Sequence, residues 1–160
     1  MKTKKLYSPL QAWTAAFVGG PLAAIYVLKS NYAEMGWEDW ARFALRCGYV
    51  FVGVLCVIVP FLPERFPNVI IPVAYTIAAW QIVERHQLSK EAITQSEHFD
   101  FQPNARVAWV CLGSLFAFFV LISFWMILLD ATGVISLEEF AARAQAQGEV
   151  QTAAPPVADP

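Results

Sequence analysis

Two histidines, three cysteines and a scatter of carboxylates are the side chains of this 160-residue chain best suited to binding a metal or attacking a substrate. His86 and His98 share one polar stretch with Glu84, Glu91, Glu97 and Asp100, which is the composition of a surface metal site. Their spacing follows no ligand signature, and a solvated connection accounts for them. Cys47, Cys56 and Cys111 lie in apolar runs without CxxC spacing or an adjacent histidine, the pattern of small buried packing residues rather than of a metal or redox centre. Haem between helices needs histidines within the apolar runs, and none is there. A serine or cysteine nucleophile needs a base within reach, and no such pair is legible. Thr76, Ser114 and Ser123 are expected to bond a helix backbone instead. The reading is therefore of a protein that is not an enzyme, with no catalytic, cofactor-binding or metal-ligating residue assigned.

The elements around these residues are apolar to an unusual degree. Of the chain, 58% is hydrophobic and 15% charged, whereas soluble domains carry about 25% charged residues. A net charge of −2 offers no basic surface for a phosphate backbone, so nucleic acid is not an expected partner. No charge falls between Lys5 and Lys29 or between Arg106 and Asp130. Either block can span a bilayer, which takes about 20 helical residues. Two shorter blocks, separated by Glu64 and Arg65 among four prolines, read as a tight hairpin, with a re-entrant pair as the competing reading. The expected fold is all-α: an integral membrane protein with four transmembrane helices over about 8–28, 47–63, 66–83 and 107–129. These spans make up a domain over 1–130. A capping box at Ser136 and Glu139 starts a surface helix over 131–148, and a flexible tail occupies 149–160. "MKTKK" before an apolar run has the start of a signal peptide but lacks the small-residue cleavage site, so the segment is expected to be retained.

Four spans put both termini on one side. Lys and Arg then nearly tie, five against six, and the unopposed Lys2, Lys4 and Lys5 favour a cytoplasmic N-terminus and tail. Trp37 and Trp40 ahead of the second span, with Arg42 and Arg46 one turn apart, read as interfacial anchors.

The first span contains "AAFVGGPLAAIY". At 100° per residue, Ala12, Ala16, Gly19, Gly20, Ala23 and Ala24 share one narrow face, a surface for close helix packing or for a partner. Pro21 is expected to kink this helix, and a leucine at Gly20 to push a neighbouring helix away. Two functions follow. One is a non-catalytic membrane component that binds a membrane protein partner or a second copy of itself, as an accessory subunit, assembly factor or immunity protein does. The other is a small oligomeric transporter or channel whose Gly19-Gly20-Pro21 break lines the path, with Gln11, Tyr26, Tyr75 and Gln81 converging beside it.

Tyr7, Ser8, Pro9, Gln11, Gly19, Gly20, Pro21 and Asn31 carry a resemblance over the first fifth of the chain. The segment resembles the opening of a group of small, uncharacterised bacterial membrane proteins that begin Tyr-Ser-Pro-x-Gln and continue to Gly-Gly-Pro and an Asn. The resemblance implies a bacterial inner-membrane address and no mechanism.

Overall fold

The computed structural model describes residues 4–62, 67, 69–87, 90–96, 98–134, 136, 138 and 142. They are mostly helical, in the order β1 (Lys4–Leu6), α1 (Pro9–Glu34), α2 (Glu38–Ile58), a 3-10 turn at Val59–Phe61, α3 (Ile70–His86), α4 (Lys90–Gln95), β2 (Phe99–Phe101) and α5 (Asn104–Ala131). Three helices, α1, α2 and α5, have the length and apolar composition of a membrane span. The 17 residues of α3 reach about 25 Å, a little short of the roughly 30 Å hydrocarbon core. The expected turn at Glu64 and Arg65, most of the surface helix over 131–148 and the tail over 149–160 lie outside the described residues. By internal packing the chain divides into units over 1–120 and 121–160, with the boundary inside α5.

The path of α1 differs from the continuous first span expected over 8–28. Ser8 caps its start: Gln11 N–H donates to Ser8 Oγ at 3.2 Å, Ser8 N–H donates to Gln11 Oε1 at 3.1 Å, and Pro9 takes the first turn. Helical geometry then fails at Gly20, with φ +76° and ψ −169°. A proline disfavours helical ψ in the residue before it, and a glycine there is free to adopt a positive φ that L side chains avoid. Pro21 then serves as the first residue of a second helical arm. A straight helix would hold Tyr7 and Asn31 about 36 Å apart, yet Tyr7 N–H donates to Asn31 Oδ1 at 2.8 Å. So α1 is a helical hairpin of two arms, 9–19 and 21–34, with its tip at Gly20 and both ends together. The break is a reversal rather than the kink expected from Pro21. The second arm closes on Gly36, φ +82°, with Trp37 N–H donating to Tyr32 C=O and Gly36 N–H to Ala33 C=O.

This hairpin is the centre of the first unit. Ala12, Ala15 and Ala23 pack with Tyr7, Val27, Val83, Val107 and Cys111, while Ala16, Ala24 and Ala79 form a second cluster. Small residues let the two arms, α3 and the first turns of α5 approach closely. A Cβ at Gly19 would stand 2.8 Å from the Cys111 Cα and 2.6 Å from the Ala23 Cβ. On the other flank Gly48 of α2 admits the side chain of Ile25.

The all-α expectation also omits a short ribbon: β1 pairs with β2 in parallel, Lys4 opposite Phe99 and Leu6 opposite Phe101. Thr76, expected to bond a backbone, is buried with no hydrogen-bond partner for its hydroxyl.

Candidate functional site

The end of β1, both ends of α1, the start of α2, the end of α3 and the start of α5 gather at one end of the first unit, and neutral amides tie them together. Asn31, 2% exposed, grips the Tyr7 backbone at both points: it accepts from Tyr7 N–H and donates to Tyr7 C=O at 2.9 Å. Its second N–H donates to Gln87 Oε1 at 2.8 Å. Gln87, the cap of α3, donates in turn to Leu28 C=O at 3.2 Å. Gln11 donates to Gln102 C=O at 2.8 Å and to Asn104 Oδ1 at 3.0 Å, fastening the first arm to α5. The buried Gln102 continues the ribbon, with its N–H on Leu6 C=O and its side chain on Lys5 C=O. Burial, with Tyr26 beside it, raises the Tyr7 phenol above its ordinary pKa, so it stays protonated at neutral pH. Among the described residues, the side chains that hold the backbone at this end are uncharged. Four residues of the quoted motif, Tyr7, Ser8, Gln11 and Asn31, meet here. Sequence reasoning set Tyr7 and Asn31 in one motif but gave them no contact, and it gave Gln87 and Gln102 no role.

A second feature opens between α2 and α3. An apolar groove of about 1110 Å³ runs along both helices, floored by Pro21, Ala24, Ile25 and Leu28 of the second α1 arm. Phe51 and Tyr75 meet edge to face across it, with ring centroids 6.2 Å apart. Its deep end lies among Ile58, Leu62 and Ile70. At the amide end it reaches Tyr32, Trp37, Trp40, Arg85 and His86, and among the described residues no acidic side chain lines it.

The expected site residues divide between these places. Ala12, Ala16, Gly19, Gly20, Ala23 and Ala24 are all buried within the first unit, so the small face serves packing inside the chain and offers little to an outside partner. Pro21 lies in the groove floor. Trp37 and Trp40 are half-exposed and flank the ring of Tyr32 at 6.2 and 6.3 Å. Arg42 is exposed and paired with Asp39 at 2.7 Å, while Arg46 is exposed nearby on α2. Gln11, Tyr26, Tyr75 and Gln81 do not converge: Gln11 is held by α5, Tyr26 stands beside Tyr7, Tyr75 lines the groove and Gln81 is exposed. His86 ends α3 while His98 lies in the bend before β2, and among the described residues no three His, Cys, Asp or Glu side chains gather. Cys56 and Cys111 are buried and Cys47 is exposed at the groove wall. No known protein family, curated protein or solved structure matches the chain.

Proposed function

We propose that this is a multi-pass protein of a bacterial inner membrane that acts by holding a membrane protein partner, or a second copy of itself, rather than by catalysis. The observation that carries the reading is the bare surface of α5. Along α5, Trp109, Leu112, Phe116 and Phe119 are 72%, 60%, 70% and 69% exposed. A helix this apolar and this unpartnered belongs in lipid, and its large rings are the groups that anchor helix contacts there. The polar side chains buried in the first unit are neutral and lie chiefly in the amide clamp.

The hairpin path of α1 supports three crossings, by α2, α3 and α5, in place of four. Its arms of about 17 and 21 Å are too short to cross and are suited to dipping in and returning. The clamped end then includes nine of the eleven Lys and Arg residues. Arg65 follows α2 and Arg143 follows α5, which leaves two for the other side. The near-tie of four spans becomes a clear bias that supports a cytoplasmic clamped end and a periplasmic C-terminal tail, opposite to the N-terminus.

Photo-crosslinking residues at Phe116 and Phe119, in native membranes, test the partner. A discrete protein adduct is expected at these positions, and adducts to lipid alone would overturn the reading. Reporter fusions after residues 95 and 134 test the crossings, with the first expected cytoplasmic and the second periplasmic. A transporter or channel has less support, because the Gly20 break borders an apolar groove rather than converging polar side chains.

A further inference from the structure

We propose that the groove between α2 and α3 is a binding site for an anionic phospholipid of the leaflet at the clamped end. The proposal rests on the membrane reading above for the groove's access to lipid, and on the groove's own shape and charge for its occupant. From Ile70 to Arg85 the α3 wall is about 23 Å long, more than the roughly 15 Å of hydrocarbon in one leaflet. An acyl chain entering beside Arg85 therefore runs its whole length against apolar side chains.

The groove's volume of about 1110 Å³ lies just above the range of small-molecule sites, enough for flexible acyl chains.

Charge decides the headgroup. Arg85 and His86 occupy the last turn of α3, exposed, at the mouth, and among the described residues no carboxylate lines the groove to oppose an anion. A guanidinium with a fixed fork of donors suits a phosphate, and the helix C-terminus favours a cation there. Trp37, Trp40 and Tyr32 ring the same mouth, at the level where aromatic side chains sit among headgroups. Arg46 lies just outside, in a shallow recess that shares Trp40 and Phe43 with the groove and also holds the paired Asp39 and Arg42. The apolar body and the single cationic end together match an amphiphile with one anionic head.

The test is native mass spectrometry of the detergent-purified, delipidated full chain titrated with phosphatidylglycerol and phosphatidylcholine. One phosphatidylglycerol is expected to bind about fivefold more tightly than phosphatidylcholine: both offer a phosphate to Arg85, but the choline ammonium cancels the lipid's net charge and is repelled by the cationic mouth, a difference of the size of one exposed charge pair. Changing Arg85→Gln together with His86→Gln should abolish the preference while both lipids still bind. Ala78→Trp, which fills the groove wall, should remove binding of both, with an unchanged monodisperse elution as the check on folding. Equal binding of the two lipids by the native chain overturns the proposal, as does a preference that survives Arg85→Gln and His86→Gln, or full binding in the Ala78→Trp chain. These outcomes are read in detergent and do not depend on orientation. Reporter fusions that reversed the topology would move the mouth to the other leaflet and leave lipid preference intact, so the two failures are distinguishable.

Discussion

Replacing Asn31 by leucine keeps the volume of the side chain and removes its carboxamide, so the Tyr7 N–H and C=O lose their buried partner together. Unsatisfied buried groups cost about 1–3 kcal/mol each, so Asn31→Leu is expected to lower stability by about 3 kcal/mol, measured as thermal unfolding in detergent. A change within about 0.5 kcal/mol would mean that the clamp contributes little. The glycines make a sharper pair. At Gly48 the obstacle to a Cβ is the Ile25 side chain, whereas at Gly19 it is the Cys111 backbone as well as the Ala23 Cβ. Gly48→Ala should therefore be rescued by Ile25→Ala, and Gly19→Ala should not be rescued by Cys111→Ala, in paired unfolding cycles. Gly20 behaves differently from the sequence expectation. No heavy atom lies within 4 Å of a Cβ there, and the cost of Gly20→Leu comes from the positive φ rather than from a displaced helix. The burial of the small face was legible in residue size alone. Which glycine is crowded and which is strained was not, because both facts depend on where the chain goes after the break.

At the scale of the element, α1 shows how a correct composition can conceal a path. The block between Lys5 and Lys29 has the length and apolarity of a span, and a wheel drawn through it finds residues that are indeed buried. It finds them because alanine and glycine occupy the inner sides of both arms, so the drawing succeeds although the helix it assumes reverses halfway. The signal for reversal was present in Gly20-Pro21, a turn-forming pair. What periodicity could not supply is a contact between residues 24 apart, and the contact of Tyr7 with Asn31 is what fixes the hairpin. The helices α2, α3 and α5 were legible in type for the opposite reason, since their apolar runs are uninterrupted, but not in bounds: α2 starts at Glu38, well before the span expected over 47–63, because its charged first turns continue the helix, and α3 starts at Ile70 rather than at 66. In a chain freed of its three cysteines, Lys5→Cys and Glu38→Cys should both react with a membrane-impermeant thiol reagent from the same side. Labelling from opposite sides would restore a continuous first span.

For the whole molecule, the hairpin changes which cations act together. With four spans, Lys2, Lys4 and Lys5 decide the orientation against a nearly equal opposing set, and neutralising those three should invert or scramble the protein. With three crossings they belong to a group that also holds Lys29, Arg42, Arg46, Arg85, Lys90 and Arg106, opposed only by Arg65 and Arg143. Six against two remain after the three lysines are lost, so the Lys2→Gln, Lys4→Gln, Lys5→Gln chain should keep its orientation. In the three-crossing proposal the first segment has no crossing of its own to impose, and the cations near the ends of α2, α3 and α5 carry the bias. The converse variant should respond: Lys29→Gln, Arg42→Gln, Arg46→Gln and Arg85→Gln added to the first three leave two on each side, and a reporter at residue 95 should then divide between compartments. Arg42 and Arg85 are exposed and make no buried contact, so these changes act on insertion rather than on the packed hairpin. If the three-lysine chain alone turned over, the orientation would rest on the N-terminus after all, and a first segment that crosses the bilayer would have to replace the hairpin.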